Sequence, residues 1–232
     1  MALQFLNSEI KSACRNAGMC EIGKIGKFFK KDQLNLSNNE SRETMQLHES
    51  GLNVLRGYRF TLMSLNSELN LQIDACSRVL QRRNLLEFMD TSSKEGLIGQ
   101  TIITRYGNYR TYKIEEILYN ETPLTKFYNS KENKEITYRD YFLACYGLKI
   151  YNTRQPLIRV LSRVKKEIHN NKMVETPEYI NLIPELVSLT GMTDDQRADF
   201  QTMKSLAPFT KLSPDERMSD CNFAAKLLNS KN

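Results

Sequence analysis

Tyrosine and arginine are concentrated in two short stretches of the chain, residues 104–112 (TRYGNYRTY) and 138–146 (YRDYFLACY). A buried core segment would be richer in Leu, Ile and Val. A tyrosine ring can stack on a base or a sugar while its hydroxyl donates a hydrogen bond to a phosphate oxygen. Because unpaired nucleotides offer both bases and phosphates, the two stretches predict a site for single-stranded nucleic acid.

Composition is compatible with this prediction but does not require it. The chain has 232 residues, of which 40 % are hydrophobic and 26 % charged, and this is typical of a folded protein rather than a disordered one. The net charge is +6 and the pI is near 9.0, which favours a polyanionic partner. Basic proteins without such partners are equally common, so charge alone decides nothing.

Cysteines and histidines are too scattered for a metal site. The five cysteines include no Cys-x-x-Cys pair, and His48 and His169 are distant from them in sequence. Zinc sites and disulfide frameworks need tighter spacing, so we expect reduced thiols, no metal and no other cofactor. The acidic pairs Asp194-Asp195 and Asp215-Glu216 fall at predicted helix starts, where capping explains them.

The sequence shows no sign of a membrane or secretory segment. The first residues lack the cationic and apolar regions of a signal peptide, and no apolar run reaches the roughly 18 residues of a membrane span. We therefore expect no membrane partner. The expected location is the cytoplasm, with the nucleus as the alternative.

Composition shifts divide the chain into four predicted parts, residues 1–50, 51–92, 93–192 and 193–232. Glycines, a basic patch and an Asn/Ser-rich segment predict that the first part is poorly ordered. Alternating apolar residues around Asn66-Ser67-Glu68 predict a β-hairpin in the second part, followed by a short helix over 79–89.

The third and fourth parts are predicted to be mainly strands and then helices. Strands are expected at 99–106, 110–118, 124–128, 134–136, 156–164 and 178–183. Helices are expected at 137–146 between the N-cap Thr137 and Gly147, at 184–189, at 193–206 with a capping box, and from Pro214.

A basic loop is predicted over residues 165–176. The cations in and before it are opposed only by Glu167, and they could follow an RNA backbone or form a solvated loop. These cations are Arg154, Arg159, Arg163, Lys165, Lys166 and Lys172.

In their order and spacing, several blocks of this chain resemble the PAZ domain of Argonaute-family proteins, and the Piwi branch more than the Argonaute branch. The blocks are residues 97–117, 155–158 (QPLI), 182–191 (LIPELVSLTG) and 193–204 (TDDQRADFQTMK). The resemblance runs from about Leu52 to the C-terminus and includes stretches similar to the first linker and to the start of the second. It identifies the chain as similar to a truncated Piwi-type protein without the MID and PIWI domains.

The resemblance implies an α+β fold. Its centre would be a small twisted β-barrel similar to an OB-fold, with a β-hairpin and helix inserted over it and with linker strands and C-terminal helices on either side. The implied function is to anchor the 3′ end of a small guide RNA in RNA silencing, with the terminal nucleotide between barrel and insert. The guide would be piRNA-like, and guides of the Piwi branch carry a methyl group on the terminal 2′ oxygen.

The resemblance also implies roles for individual residues. Those expected to line the RNA 3′-end site are Arg105, Tyr106, Tyr112, Phe127, Tyr141, Tyr146, Leu182 and Ile183. Tyrosine hydroxyls would contact the terminal phosphate, Phe127 would stack on the last base, and Leu182 and Ile183 would form the floor. Since Tyr141 and Tyr146 are about 140° apart on a helix, we expect them to flank a groove.

Each of these residues also has a structural interpretation. A single tyrosine at a junction of sheet and helix is commonly a core residue with a solvated hydroxyl, and Ile183 is typical of a core. As a set, Tyr112, Tyr141 and Tyr146 favour ligand contact. Asn181 stands where close animal relatives carry an apolar residue, which predicts a weaker preference for a 2′-O-methyl end.

Three functions are therefore open. The favoured one is a non-catalytic module that binds a single-stranded small RNA 3′ end, beside the remaining Argonaute domains or other silencing proteins. Full-length relatives cleave RNA in a C-terminal ribonuclease-like domain, which this sequence does not contain, so we expect no enzymatic activity. The third is a degenerate Piwi fragment that acts as a structural or protein-interaction module without RNA binding.

Overall fold

A computed structural model describes residues 2–23, 26–34, 45–47, 51–65, 68–91, 94–130, 132–169 and 172–229. The chain divides into two compact units. The first consists of Met1–Arg82, Asn108–Arg110 and Thr190–Asn232, and the second of Arg83–Gly107 and Thr111–Leu189. The domain boundaries predicted from the sequence, at residues 50, 92 and 192, remain predictions.

The described elements follow one another in a mixed order of helices and strands. The helices are α1 (Ala2–Asn16), α2 (Leu85–Thr91), α3 (Tyr138–Tyr146), α4 (Asp194–Ala198), α5 (Phe200–Thr210) and α6 (Pro214–Asn229). The strands are β1 (Met19–Glu21), β2 (Lys27–Lys30), β3 (Met45–Leu47), β4 (Leu52–Leu65), β5 (Glu68–Gln81), β6 (Thr101–Thr104), β7 (Thr111–Leu118), β8 (Lys126–Asn129), β9 (Lys134–Thr137), β10 (Leu157–His169), β11 (Lys172–Leu182) and β12 (Val187–Leu189). Short 3₁₀ turns cover Lys31–Leu34, Lys94–Leu97 and Pro184–Leu186.

The first unit is built on the long β4–β5 hairpin, which the sequence predicted. Strand β4 pairs with β5 on one side and with β2 and β3 on the other, and all pairs are antiparallel. Strand β5 continues to Gln81, opposite Leu52, so the predicted helix over 79–89 begins later, at Leu85. A bridge between Leu80 and Thr190 extends the pairing at this end.

The N-terminal segment differs from its prediction. Residues 2–16 form helix α1, where little order was expected. The helix buries Cys14 in a core with Met19, Phe28, Phe60 and Ala224. Because these partners come from β1, β2, β4 and α6, the order of α1 depends on residues distant in sequence.

The second unit contains the sheet with strand order β11-β10-β7-β6-β12, antiparallel throughout. Its core includes Leu85 and Met89 from α2, Ile102 from β6, Ile114 from β7 and Ile158 from β10. The predicted α+β class is confirmed, and the open strand order is compatible with the partly open barrel of an OB-fold.

The predicted basic loop over 165–176 is wrong for the residues that the structure describes, because residues 165–169 and 172–176 pair as strands β10 and β11. Acidic residues on neighbouring strands pair with several of the cations. Arg159 Nη1 lies 2.7 Å from Glu116 Oε2, Arg163 pairs with Glu178, and Lys165 Nζ lies 3.9 Å from Glu178 Oε1. Acidic residues on neighbouring strands, which the sequence did not suggest as partners, therefore balance part of this positive charge.

Helix capping in the C-terminal region agrees with the sequence. Thr193 forms the predicted capping box with Gln196, and Ser213 Oγ accepts a hydrogen bond from Glu216 N at the start of α6. The predicted single helix over 193–206 is interrupted at Asp199, whose carboxylate accepts from Thr202 N and starts α5. None of the described helices has the length and apolar character needed to cross a membrane.

Candidate nucleic-acid interface

The insert of the second unit consists of the β8–β9 hairpin and helix α3. Thr137 Oγ1 accepts a hydrogen bond from Asp140 N at 3.1 Å, which starts the helix as the sequence predicted. Gly147 ends it with φ of 65°, and its N–H donates to Leu143 O. The left-handed conformation at this position favours glycine. These two caps set the nine-residue length of α3 and thereby the positions of Tyr141 and Tyr146.

An apolar cluster joins the insert to the sheet. Phe142 of α3 is buried with Ile150, Leu157, Ile183 and Leu186. Partly buried residues pack around this cluster, among them Tyr106, Tyr138 and Tyr141. The insert is therefore held by the core residues of α3, and its tyrosines lie at the border of that core.

Ring contacts bring three of the predicted site tyrosines together. The centroid of Tyr106 lies 4.9 Å from that of Tyr146 and 5.1 Å from that of Phe142, both in edge-to-face geometry. The centroids of Tyr141 and Tyr146 are 6.2 Å apart. The two tyrosines of α3 thus belong to one group, whereas the sequence suggested that they flank a groove.

The phenols of these tyrosines lie close enough to influence the ionisation of Tyr106 and Tyr141. Burial raises the pKa of Tyr106, and the neighbouring phenols of Tyr146, Tyr112 and Tyr141 raise it further. Burial also raises the pKa of Tyr141 to about 12, helped by Tyr146 and by Cys145, with which its hydroxyl is hydrogen-bonded. We call Tyr106, Tyr112, Tyr141 and Tyr146 the tyrosine cluster. Tyr106 and Tyr141 stay protonated at neutral pH and remain hydrogen-bond donors.

Phe127 lies beside the tyrosine cluster on strand β8. Its ring is stacked on Tyr138 with centroids 4.5 Å apart and an interplanar angle of 28°, and it meets the edge of Tyr141 at 5.5 Å. Tyr138 was not singled out from the sequence as a site residue, although it begins the aromatic stretch 138–146 that predicted the site.

Asn181 connects Tyr138 to the sheet. Its side chain hydrogen-bonds with the hydroxyl of Tyr138, and its Nδ2 donates to Glu121 Oε2 at 2.9 Å. The amide group is therefore engaged within the protein. The residue that departs from the Piwi-like pattern has a structural role, since it supports the ring on which Phe127 stacks.

Arg105 bonds to strand β12 and to the turn before it. Its Nε donates to Ser188 Oγ of β12 at 2.5 Å, and its backbone N–H donates to Leu186 O at 3.0 Å. Burial lowers the pKa of the guanidinium, and the charge of Glu87 opposes that effect. The side chain thus ties the end of β6 to β12.

Leu182 and Ile183 are both buried, but they lie in different clusters. Leu182 belongs to the core of the sheet, whereas Ile183 is fully buried beside Phe142 at the insert. Of the two predicted floor residues, the structure brings only Ile183 into the cluster that includes Tyr106 and Tyr141. The alternation of side chains along an extended chain separates such neighbours.

The rings of the tyrosine cluster remain partly accessible. Tyr146 is 43 % exposed, and Tyr106, Tyr112, Tyr141 and Phe127 are half-buried. Gly107, with φ of +63°, lies against the Tyr146 ring, and a Cβ there would be 3.4 Å from Cε1. The described residues contain no group of three or more His, Cys, Asp or Glu side chains that could hold a metal ion. The tyrosine cluster can therefore offer a ligand aromatic surface and hydroxyl groups that donate hydrogen bonds.

Comparison with known proteins agrees with this arrangement. The PAZ domain family matches residues 73–213, more than half of the chain and a stretch that contains every predicted site residue. Piwi-like protein 1 of Danio rerio is 31 % identical over 235 residues, covering 96 % of this chain and 25 % of the relative. Piwi-like protein Siwi of Bombyx mori is 32 % identical over 190 residues, covering 77 % and 20 %.

A solved structure shares the fold. The crystal structure of Drosophila Piwi matches with a TM-score of 0.60 and 20 % identity, covering 98 % of this chain and 26 % of that one. This chain spans between a fifth and a quarter of the length of these relatives. Since the family match covers more than half of the chain, including the whole of the second unit, the chain belongs to the PAZ domain family.

Proposed function

We propose that this chain is a non-catalytic module that holds the 3′ end of a single-stranded small guide RNA. The observation that carries the proposal is the convergence of Tyr106, Tyr112, Tyr141 and Tyr146, whose phenols influence one another at a partly exposed surface. Membership of the PAZ domain family and similarity to Piwi-type proteins support the same ligand.

The chemistry of the cluster suits a terminal nucleotide. The hydroxyls of Tyr106 and Tyr141, whose pKa values are raised, can donate hydrogen bonds to phosphate oxygens, and a bond to a charged group contributes about 1.5–3 kcal/mol. A base stacked on an aromatic ring such as Phe127 contributes about 1–3 kcal/mol with little dependence on sequence. Together these interactions hold an end of any sequence, which is what a guide-binding module requires.

The finer identity of the guide is part of the proposal. We propose a piRNA-like RNA, on the similarity to Piwi-type proteins. Burying a terminal 2′-O-methyl group would contribute about 0.8 kcal/mol, so selection for methylated ends would be a preference of only a few-fold.

A second function has an observation in its favour. Helix α6 exposes Met218 by 63 % and Phe223 by 47 %, and apolar side chains of this size often contact another protein. A protein-interaction module without RNA binding would contact its partner through this surface of α6, and the tyrosine cluster would bind no ligand.

One titration separates the two. The affinity of the natural chain and of the Phe127→Ala variant is measured for three fluorescent single-stranded RNAs. They end in a free 3′ hydroxyl, a 2′-O-methyl group or a 3′-phosphate. End capture predicts different affinities for the three ends and a loss of about 1–3 kcal/mol in the variant. Equal affinity for all three ends, unchanged in the variant, would remove the proposal, and absence of binding would favour the interaction module.

A further inference from the structure

Helix α6 has one face in the core of the first unit and another that is exposed. Ala224 is fully buried, and Leu227 and Leu228 pack partly against the same core. Cys221 Sγ donates to Ile73 O at 3.5 Å. At about 100° per residue, six exposed residues lie on the opposite side of the helix from these contacts. We call them the exposed α6 face, and they are Asp215, Met218, Ser219, Asn222, Phe223 and Lys226.

Two large apolar side chains belong to the exposed α6 face. Met218 is 63 % exposed and Phe223 is 47 % exposed. The Nζ of Lys30, on strand β2, lies 5.6 Å from the centroid of the Phe223 ring, so the ring has a neighbour within its own unit. An open groove of about 530 Å³ runs along the six residues. A groove with apolar side chains at helical spacing is typical of a surface that receives another helix.

The order of residues in the exposed α6 face is complementary to its own reverse. The midpoint of the face falls between residues 220 and 221, and residues at equal distances on either side of it have matching chemistry. They pair an acid with a base, an apolar group with an apolar group, and a hydroxyl with an amide. These pairs are Asp215 with Lys226, Met218 with Phe223, and Ser219 with Asn222.

This pattern specifies both the partner and its direction. Two copies of α6 that pack antiparallel about the midpoint bring each residue to the level of its complement on the other copy, and a twofold axis makes every pair occur twice. The hydroxyl of Ser219 and the amide of Asn222 can each donate and accept. A parallel pair would instead place Asp215 against Asp215 and Lys226 against Lys226. An unrelated protein would need to complement this face, but it would not require the face to complement itself.

We propose that the exposed α6 face is a dimerisation surface that binds a second copy of this chain, with the two α6 helices antiparallel. The face belongs to the first unit and the tyrosine cluster to the second, so the proposal does not rest on the 3′-end function. The face extends only about 17 Å from Asp215 to Lys226, at about 1.5 Å per residue. Interfaces below about 1,200 Å² are weak and transient, and we therefore expect a reversible dimer with a dissociation constant in the micromolar range or above.

Sedimentation velocity of the whole chain, without RNA, tests the proposal. A salt concentration of about 150 mM limits the long-range repulsion between two chains of net charge +6. We expect the natural chain to change from monomer to dimer between low and high micromolar concentrations. Met218→Ala should raise the dissociation constant about tenfold or more, whereas the matched control Met203→Ala, at a residue of α5 that is 40 % exposed, should not change it. A natural chain that stays monomeric throughout, or equal effects of the two variants, overturns the proposal.

A charge exchange tests the antiparallel direction. Asp215→Lys and Lys226→Asp each replace two attractive pairs by two repulsive ones, and each should weaken self-association by about fivefold or more. An equimolar mixture of the two variants should dimerise like the natural chain, because opposite charges then meet at both ends of the face. Recovery in the mixture would also show that both variants are folded.

Asp195→Lys makes the same change of charge in the first turn of α4, away from the exposed α6 face, and controls for the loss of an acidic residue from a helix start. It should dimerise like the natural chain. If it weakens self-association as much as Asp215→Lys does, or if the mixture is as weak as its components, the antiparallel pairing is refuted.

Discussion

Replacing Tyr106 by Phe removes one hydroxyl from the centre of the tyrosine cluster and leaves the ring. The ring contacts with Tyr146 at 4.9 Å and with Phe142 at 5.1 Å should persist, so folding stability should change by no more than about 1.5 kcal/mol. A hydrogen bond to a charged phosphate contributes about 1.5–3 kcal/mol, which corresponds to roughly 10- to 150-fold in affinity.

The assay is fluorescence anisotropy with a short RNA ending in a 3′-phosphate or a 3′ hydroxyl. Tyr128→Phe is the matched control, because Tyr128 is 59 % exposed and its hydroxyl donates to Asn133 within the same insert. We expect a large loss for Tyr106→Phe, greatest with the 3′-phosphate, and less than about a twofold change for the control. A folded Tyr106→Phe chain that binds both RNAs like the natural chain would refute the role of the cluster.

Three further predictions concern stability and charge. Arg105→Gln should lower the free energy of unfolding by about 1–3 kcal/mol, because it removes the hydrogen bond to Ser188. It should leave the slope of log K against log [salt] for RNA binding unchanged. A decrease in that slope by about 0.7 would instead identify Arg105 as a phosphate contact. Thr137→Ala should lower the free energy of unfolding by about 0.5–2 kcal/mol, as measured by urea denaturation, and should weaken RNA binding because α3 loses its N-cap. Thr137→Ser should restore both stability and binding. If Thr137→Ala changes neither, the cap does not determine the stability of α3 or its role in binding. Burial raises the pKa of Cys14 to about 12 and of Cys20 to about 11, so the folded state favours the protonated thiols; this stability is present below pH 9 and is lost as the pH rises toward 11–12. Melting temperatures between pH 8 and 11 should therefore decline less steeply in Cys14→Ala than in the natural chain, and parallel declines would contradict this assignment.

Local signals predicted much of the insert. Thr137 and Gly147 bound α3 as expected, and the flanking strands β8 and β9 lie within two residues of their predicted positions. Caps and turns depend on a few neighbouring residues, so their chemistry can be read along the chain. The pairing of β4 with β5 likewise agrees with the hairpin predicted from alternating apolar residues.

Long polar strands were harder to predict. The segment 165–176 lacks apolar alternation, and the sequence therefore suggested a loop. In the structure its backbone groups pair across the β10–β11 ladder, which needs no apolar residue to form. Likewise, residues 79–81 continue β5 because β4 supplies their partners, although their composition suits a helix.

The sequence alone determined three features of this protein: which aromatic and basic residues are available for binding, where α3 and α6 are capped, and an α+β order of elements typical of one family. Only the tertiary structure decided which of these residues contact one another. Tyr106 precedes Tyr146 by 40 residues, and their rings meet because Phe142 and Ile183 pack the insert onto the sheet. Arg105, adjacent to Tyr106, instead bonds with Ser188. Such partners are set by packing between distant segments, which no local periodicity encodes.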